Sequence, residues 1–493
     1  MGRTTEMDVK VKFGLKSFIT VVAILLVVLI AVGVLSFVIP AGRYTIYTTD
    51  ESKIGQPFYQ YTTDESLNKQ IVIDSYRELS AEENTSRLPV LRWFTSPVEA
   101  IIFGSNSANI IMIIALLLVL GGTFKVLEES GGLVSLVRVI MERLHEKRFA
   151  AIWAITAVIM ILSAVFGLQE QLLILYPVFA MLCTALNWSR FTAISFVLIA
   201  SGVGFTTAIT NPLTIGTASI AAGVSVTDGM WYRCIIFAVM YVITAMFLTL
   251  LAKRDERRAV EKFDLQGFVM VSEEEHKEDV RKAKMIVALF SIALLSVVIT
   301  TAIDALRSLA MVFMAVAFIV GTVIVGKLLL GTYGRLGKCF IKGVKDVLPS
   351  IVIILIAFGI TYIAQEGNII HTIFHYFYNT VTNMSPYLAV IILYAFVLII
   401  EFFIPSASAK AVLIIPMLTL APIEGVSKTV IILTYLFADG YTNVLYPTCG
   451  TLLVGLGLAN ISFTEWVKKT IVFQLVLCAI SLGFLMLAVF IGL

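Results

Sequence analysis

Residues 166–177 read FGLQEQLLILYP and residues 204–231 read GFTTAITNPLTIGTASIAAGVSVTDGMW; residues 403–416 read FIPSASAKAVLIIP and residues 439–466 read DGYTNVLYPTCGTLLVGLGLANISFTEW. The two pairs share one layout. Pro212 and Trp231 stand nineteen positions apart, as do Pro447 and Trp466, while Pro177 and Pro416 close the first element of each copy. Each copy places Gly, Pro and polar side chains where a membrane helix would be apolar and unbroken. Such a break leaves backbone groups without water, so it is tolerated only where it is buried in protein or lines a cavity. Interrupted apolar segments at corresponding places in two halves point to the binding region of a membrane carrier.

The sequence around these strings supports a polytopic chain. Of its 493 residues 59% are hydrophobic, the mean hydropathy is +0.95, and runs such as 17–39, 283–303 and 470–493 exceed the roughly 20 apolar residues that span a bilayer. A multi-pass protein of the cell inner or plasma membrane follows. The net charge of +3 is spread over short loops, which argues against nucleic acid as a partner. The five cysteines, at 183, 234, 339, 449 and 478, sit in or beside apolar runs, so a disulfide framework is not expected. The run 17–39 is too long for a signal peptide and reads as a retained first helix.

Lys and Arg near helix ends mark the cytoplasmic side, and Arg3, Lys10, Lys12 and Lys16 place the amino terminus there. The predicted order is then an amino-terminal helix within 1–40, a polar extracytoplasmic segment at 41–97, and a first repeat at 98–252. That repeat contains an amphipathic interfacial stretch at 128–144, a cytoplasmic-side hairpin at 149–187 and a broken helix at 191–224. A charged cytoplasmic linker at 253–284 leads to two scaffold helices at 285–328, and a basic loop with Arg335, Lys338 and Lys342 follows them. The second repeat, 346–493, holds an outer-side hairpin at 386–422 and a broken helix at 427–458, and its carboxyl terminus lies outside. Gly121-x-Thr123-Phe124 with Glu128 matches Gly359-x-Thr361-Tyr362 with Glu366, which puts five spans between equivalent elements. An odd number inverts the second copy. The predicted fold class is therefore an all-α polytopic membrane protein with inverted structural repeats: about nine transmembrane helices, two opposed re-entrant hairpins and two broken helices.

The chemistry follows from the tips and the breaks. A hairpin tip near mid-membrane exposes the first N–H groups of its second arm, whose positive dipole end attracts anions. In the second copy Pro405 suits a helix start, Ser406 and Ser408 add hydroxyls, and Lys410 adds a charge. The first tip differs: Gly167, Gln169, Glu170 and Gln171 make it acidic where the other is basic. Asp439 opens the second break and Glu401 precedes the second tip. Ionised residues at this depth face a cavity or a partner, so Lys410 either pairs with Glu170 or Asp439 or meets a substrate carboxylate. The breaks supply Thr206, Thr207, Thr210, Asn211 and Thr214 in one copy and Thr442, Asn443, Thr448 and Thr451 in the other, suited to Na+ or to polar substrate groups. With a carboxylate drawn to one end and an ammonium or guanidinium to the other, a basic amino acid fits better than a dicarboxylate. A dicarboxylate would require Glu170 and Asp439 to be protonated, which is also a route to proton coupling.

No motif calls for a cofactor or a resident metal, and the coupling ion is read as H+ or Na+. His371 and His375 lie one helical turn apart without a third ligand nearby. GTYGRLGK has the wrong spacing for a phosphate-binding loop, and neither HExxH nor GxSxG occurs, so a membrane enzyme is not indicated.

In GFTTAITNP, FFIPSASAK and FADGYTNVLYPTCG, and over nearly the whole chain from residue 17, the sequence resembles the YfcC and anaerobic C4-dicarboxylate carrier family, a branch of the ion transporter superfamily that includes bacterial arginine/ornithine antiporters. The resemblance implies a secondary carrier, a homodimer, and an elevator in which hairpins and broken helices move against a scaffold. The tip GLQEQ departs from the two adjacent carboxylates expected in many relatives.

Overall fold

The computed structural model describes residues 15–493 apart from 55–56, 64–70, 81, 105–106, 145–146, 259–270, 304–308, 382–383, 405 and 421–422. Pro405 and much of the expected linker therefore lie outside the described residues. The first half runs through α1 (Leu15–Val38), strands β1 (Gly42–Thr48), β2 (Tyr59–Tyr61) and β3 (Ile71–Glu78), then α2 (Val90–Trp93), α3 (Ser96–Ile102), α4 (Ser107–Glu129), α5 (Gly132–Leu144), α6 (Arg148–Phe166), α7 (Tyr176–Ala185), α8 (Arg190–Thr207), α9 (Thr217–Ala222) and α10 (Met230–Arg258). The second half comprises α11 (Glu273–Ala302), α12 (Ala310–Leu330), α13 (Tyr333–Glu366), α14 (Ile369–Val381), α15 (Pro386–Phe403), α16 (Ala407–Leu420), α17 (Lys428–Ala438), α18 (Gly450–Ala459) and α19 (Phe463–Phe490).

From α4 to α10 and from α13 to α19 the order of elements is the same, member for member. The local signals repeat as well. Ser189 caps α8 by accepting from the Thr192 N–H, and Ser427 caps α17 by accepting from Val430, each satisfying an amide that the first helical turn leaves unpaired. Both segments are interrupted: α8 ends at Thr207, so that Thr206 and Thr207 close the helix rather than lie in the break, before a π-type turn at Pro212–Gly216, and α17 ends at Ala438 before a 3-10 turn at Thr442–Val444.

Among the described residues nine helical stretches are long and apolar enough to cross a membrane, as a multi-pass membrane protein requires. Their membership differs from the expected set. Arg148–Phe166 and Pro386–Phe403, read as first arms of hairpins, are 19 and 18 residues long, about 27 Å of helix; that length is compatible with crossing and with dipping. The second broken segment is absent from the set because its two halves have 11 and 10 residues.

Three expectations are corrected. The chain is not all-α: within 41–97, β1 pairs in parallel with β2 and antiparallel with β3. The strings GRYTIYT and IVIDSYRE are rich in β-branched and aromatic residues, which favour a half-buried pleated surface. The sheet docks on α14, where the Tyr44 N–H donates to His371 Nδ1 at 3.1 Å and Tyr76 stacks on His375 at 3.8 Å. The charged stretch before residue 284 is helical from Glu273, started by a capping box between Ser272 and Glu275. The basic loop with Arg335, Lys338 and Lys342 is the opening of α13, a 34-residue helix capped by Thr332.

Packing sorts the helices into two groups. α13 lies against α1, α3, α4 and α12, and α11 against α12 and α5; separately, α8 lies against α6, α7 and α10, α17 against α15, α16 and α19, and α16 against α9. The groups meet through α13 with α18, α5 with α7, and α14 with α15. Long apolar side chains such as Val27, Leu250 and Val472 are exposed on the outer faces, where lipid would cover them.

Candidate functional site

The site is built from two tips and two breaks. α6 ends at Gly167, whose φ of 73° is left-handed and therefore suited to glycine; a Cβ there would stand 2.4 Å from Asn211 Oδ1. The first break folds back on the same end of α6, since the Thr210 and Asn211 N–H groups both donate to the Ala164 carbonyl at 3.1 Å and Thr210 Oγ1 donates to Val165 O at 3.2 Å. In the second copy the Tyr435 hydroxyl donates to Ala407 O at 2.7 Å, tying α17 to the start of α16.

The copies also interlock. Gln169 Nε2 donates to Gly440 O at 3.3 Å, and Asn443 Nδ2 donates to Gln169 Oε1 at 3.2 Å and to Asp439 Oδ1 at 3.0 Å. Thr206 Oγ1 accepts from the Tyr441 N–H at 2.7 Å and lies 3.1 Å from the Asp439 carbonyl. The first tip and first break therefore grip the second break.

A cavity of about 210 Å³ lies between the tips. Gly167, Gln169, Glu170 and Gln171 line it from one side, Ser406 and Ala407 from the other, and Asn443, Thr448, Gly450 and Thr451 from the second break. Leu116, Leu120, Phe205, Ile354 and Phe358 supply apolar wall. Glu170 is the one charged residue among the described lining residues, and Thr451 lines the same cavity. Three lining side chains carry buried polar atoms with no protein partner: Gln171 Oε1, Asn443 Oδ1 and Thr448 Oγ1. Such atoms cost about 1–3 kcal/mol each unless something hydrogen-bonds them, so this wall is organised for a polar ligand. The starts of α16 and α18 meet the same space, and their first amides have no intrahelical acceptor.

Lys410 does not line the cavity, and its expected contact with Glu170 is not made. Its ammonium contacts Glu401 directly and lies 3.6 Å from Asp439 Oδ1, with the three side chains 0–1% exposed. An ion this deep must be paired, and α15 and α17 present the carboxylates. Thr207, Thr210, Asn211, Asp439 and Thr442 also lie off the lining. Thr207 and Thr442 direct their hydroxyls to carbonyls three and four residues back, Gly204 and Ala438. Ser408 is on α16, and its side chain is outside the described residues.

Two supporting residues were not foreseen. The Ile209 and Val444 carbonyls stand at equivalent positions of the two breaks, and each accepts from a side chain near the start of the next helix: Arg233 at 3.2 Å and the Trp466 indole at 2.7 Å. The matched Pro-to-Trp spacing was the available signal for Trp466; Arg233 lay two residues past Trp231, in what reads as an ordinary helix start.

Comparison with known proteins gives two sequence relatives of near full length. The chain is 23% identical to the "Putative basic amino acid antiporter YfcC" of Escherichia coli K12, over 90% of this chain and 91% of that one. It is 22% identical to an uncharacterized protein of Haemophilus influenzae, over 98% and 99% of the two chains. Among solved structures, the YdaH transporter of Alcanivorax borkumensis aligns with a TM-score of 0.41 and 15% identity, over 97% of this chain and 98% of that one. The model of the C4-dicarboxylate anaerobic carrier (DcuC) family matches residues 17–490. With that match running through both tips and both breaks, the chain belongs to the C4-dicarboxylate anaerobic carrier family, a family of membrane transporters rather than enzymes.

Proposed function

We propose that this protein is a secondary transporter that exchanges basic amino acids of the arginine/ornithine type. The observation that carries this reading is the charge of the cavity: among the described residues Glu170 is its one charged lining residue, while Lys410, the cation expected to meet a carboxylate, is held by Glu401 and Asp439. The substrate ammonium or guanidinium pairs with Glu170 and takes up Gln171 Oε1 and Asn443 Oδ1. The substrate carboxylate lies at the helix starts of Ala407 and Gly450, beside Ser406 and Thr448. The printed name of the Escherichia coli relative, a putative basic amino acid antiporter, agrees with this pairing.

A second reading, a C4-dicarboxylate or other short-chain carboxylate carrier coupled to H+ or Na+, draws on the family description and on the two helix starts facing one cavity. It leaves Glu170 opposite two further carboxylates, which like-charge repulsion disfavours unless that residue is protonated. Proteoliposomes loaded with ornithine and offered labelled arginine separate the two. Counterflow supports exchange of basic amino acids; its absence with every basic amino acid, together with uptake of a C4-dicarboxylate, replaces the first reading with the second.

The wider mechanism is proposed on the same footing. The matched order of α4–α10 and α13–α19 supports an inverted repeat with its hairpins entering from opposite faces, the amino terminus cytoplasmic and the carboxyl terminus outside. The two packing groups support an elevator, with α5 and α14 as the arms between scaffold and moving part, in a homodimer embedded in plasma-membrane lipid. A smaller void of about 70 Å³ shares Leu117, Leu120 and Leu173 with the main cavity and reaches Lys125, Glu128 and Asp346. It lies toward the basic start of α13, so the substrate path in this conformation leads to the cytoplasmic side.

A further inference from the structure

Glu401, Lys410 and Asp439 form a cluster that the substrate cavity does not use. None of them lines the cavity, and all are sealed from solvent. One ammonium and two carboxylates leave an excess of one negative charge in a low-dielectric interior, a state that is costly unless a further cation is bound.

The carboxylates are not equivalent. Asp439 accepts from the Gly440 N–H at 2.8 Å and from Asn443 Nδ2 at 3.0 Å, and the Tyr435 hydroxyl, whose proton goes to Ala407 O, lies 3.3 Å away. Among the described residues Glu401 has no contact to its carboxylate other than the Lys410 ammonium. That ammonium fills the space between the carboxylates, so a metal ion has no seat there, whereas a proton needs no volume.

The other groups facing this cluster do not supply the missing charge. α17 presents Tyr435, whose ring lies 5.5 Å from the Lys410 ammonium. The second break presents Tyr446, which donates to Leu398 O, and Tyr441, whose hydroxyl is paired with that of Tyr394 on α15. α19 presents Cys478 beside the tyrosine pair. α14 meets α15 through Phe374 and Phe377 on Phe396, while Tyr362 and Glu366 of α13 lie with Glu99 and Arg92.

We infer that Glu401 is a proton-binding site and that the carrier moves one proton together with its substrate. The substrate cation offsets Glu170, the proton offsets the cluster, and the fully loaded transport unit carries no excess charge across the membrane. The link between the two is the chain Asp439–Asn443–Gln169, which joins the cluster to the cavity wall. This inference rests on reading the cavity as the site of a basic amino acid, because its charge balance needs a substrate cation to offset Glu170.

The test uses the full-length protein in proteoliposomes, with whichever labelled basic amino acid gives counterflow at equal pH on both faces. That first measurement decides the carrier reading by itself. A pH gradient cancels in one-for-one exchange, so proton binding is read directly: adding that substrate to the purified protein in weak buffer is expected to take up about one proton per chain, and none in Glu401→Gln. No uptake in the unaltered protein, or uptake kept in E401Q, overturns the proposal. Should E401Q fail to fold, the measurement on the unaltered protein decides.

Discussion

Gln169 and Asn443, 274 positions apart, meet side chain to side chain at 3.2 Å, and Gln169 also donates to the Gly440 carbonyl. Through this pair the first tip reads the shape of the second break. In Asn443→Ala the Gln169 amide oxygen loses its donor, and in Gln169→Ala the Gly440 carbonyl loses its donor, so each single change should weaken substrate binding. The double variant should be less impaired than the sum, with a coupling of about 0.5–3 kcal/mol. A thermal-shift titration of the four proteins checks this, and additive losses would separate the two residues.

Glu170→Gln removes the one charge in the cavity wall while keeping its volume. A hydrogen bond to a charged group is worth about 1.5–3 kcal/mol, so affinity for a basic amino acid should fall roughly 10- to 150-fold. The effect on a neutral amino acid should be small. Competition of unlabelled substrates against labelled counterflow distinguishes the two, and an equal loss for both would deny Glu170 its selective role.

Gly440 has a φ of 72°, and a Cβ on it would stand 2.3 Å from Thr206 Oγ1. Gly440→Ala must strain the backbone and separate the two breaks, at a cost of about 1–3 kcal/mol. Gly334, an α13 residue with nothing near its Cβ, is the control. Gly334→Ala should hold or slightly raise the melting temperature, because alanine favours helix, whereas G440A should lower it.

The sheet should undock from α14 in acid. Burial pushes the His371 imidazole down to about 4, with nearby Arg43 acting in the same direction, and Nδ1 must stay unprotonated to accept from the Tyr44 N–H. The undocked residue, with an ordinary value of about 6.5, binds more protons than the docked one between those two limits. Docking stability is therefore complete above about 6.5 and is lost as pH falls toward 4. Hydrogen exchange at residues 42–48 should quicken over that window and become insensitive to pH in His371→Gln, unless the contact does not hold the sheet.

Much of the site was legible because membrane insertion penalises polar groups and helix breaks, which makes each exception in the chain a signal. Gly167, Gln169, Glu170, Gln171, Ser406, Asn443 and Thr448 were singled out on that ground and line one cavity. The sheet of residues 42–78 was not legible as such: its strands are short, interrupted by polar stretches, and gain their burial from α14. The basic residues 335–342 looked like a loop because charge patterning reports sidedness and not backbone conformation.

By itself the sequence determined the polytopic class, the two matched interruptions and the acidic character of the first tip, since these follow from composition and order along one dimension. Only the tertiary structure decided the partners of Lys410. Sequence spacing offered Glu170 and Asp439; folding brought α15 and α17 against α16 so that Glu401 and Asp439 reach the ammonium, and left Glu170 to the cavity. The strength of a buried charge pair depends on distance and dielectric, and both are properties of the packed molecule.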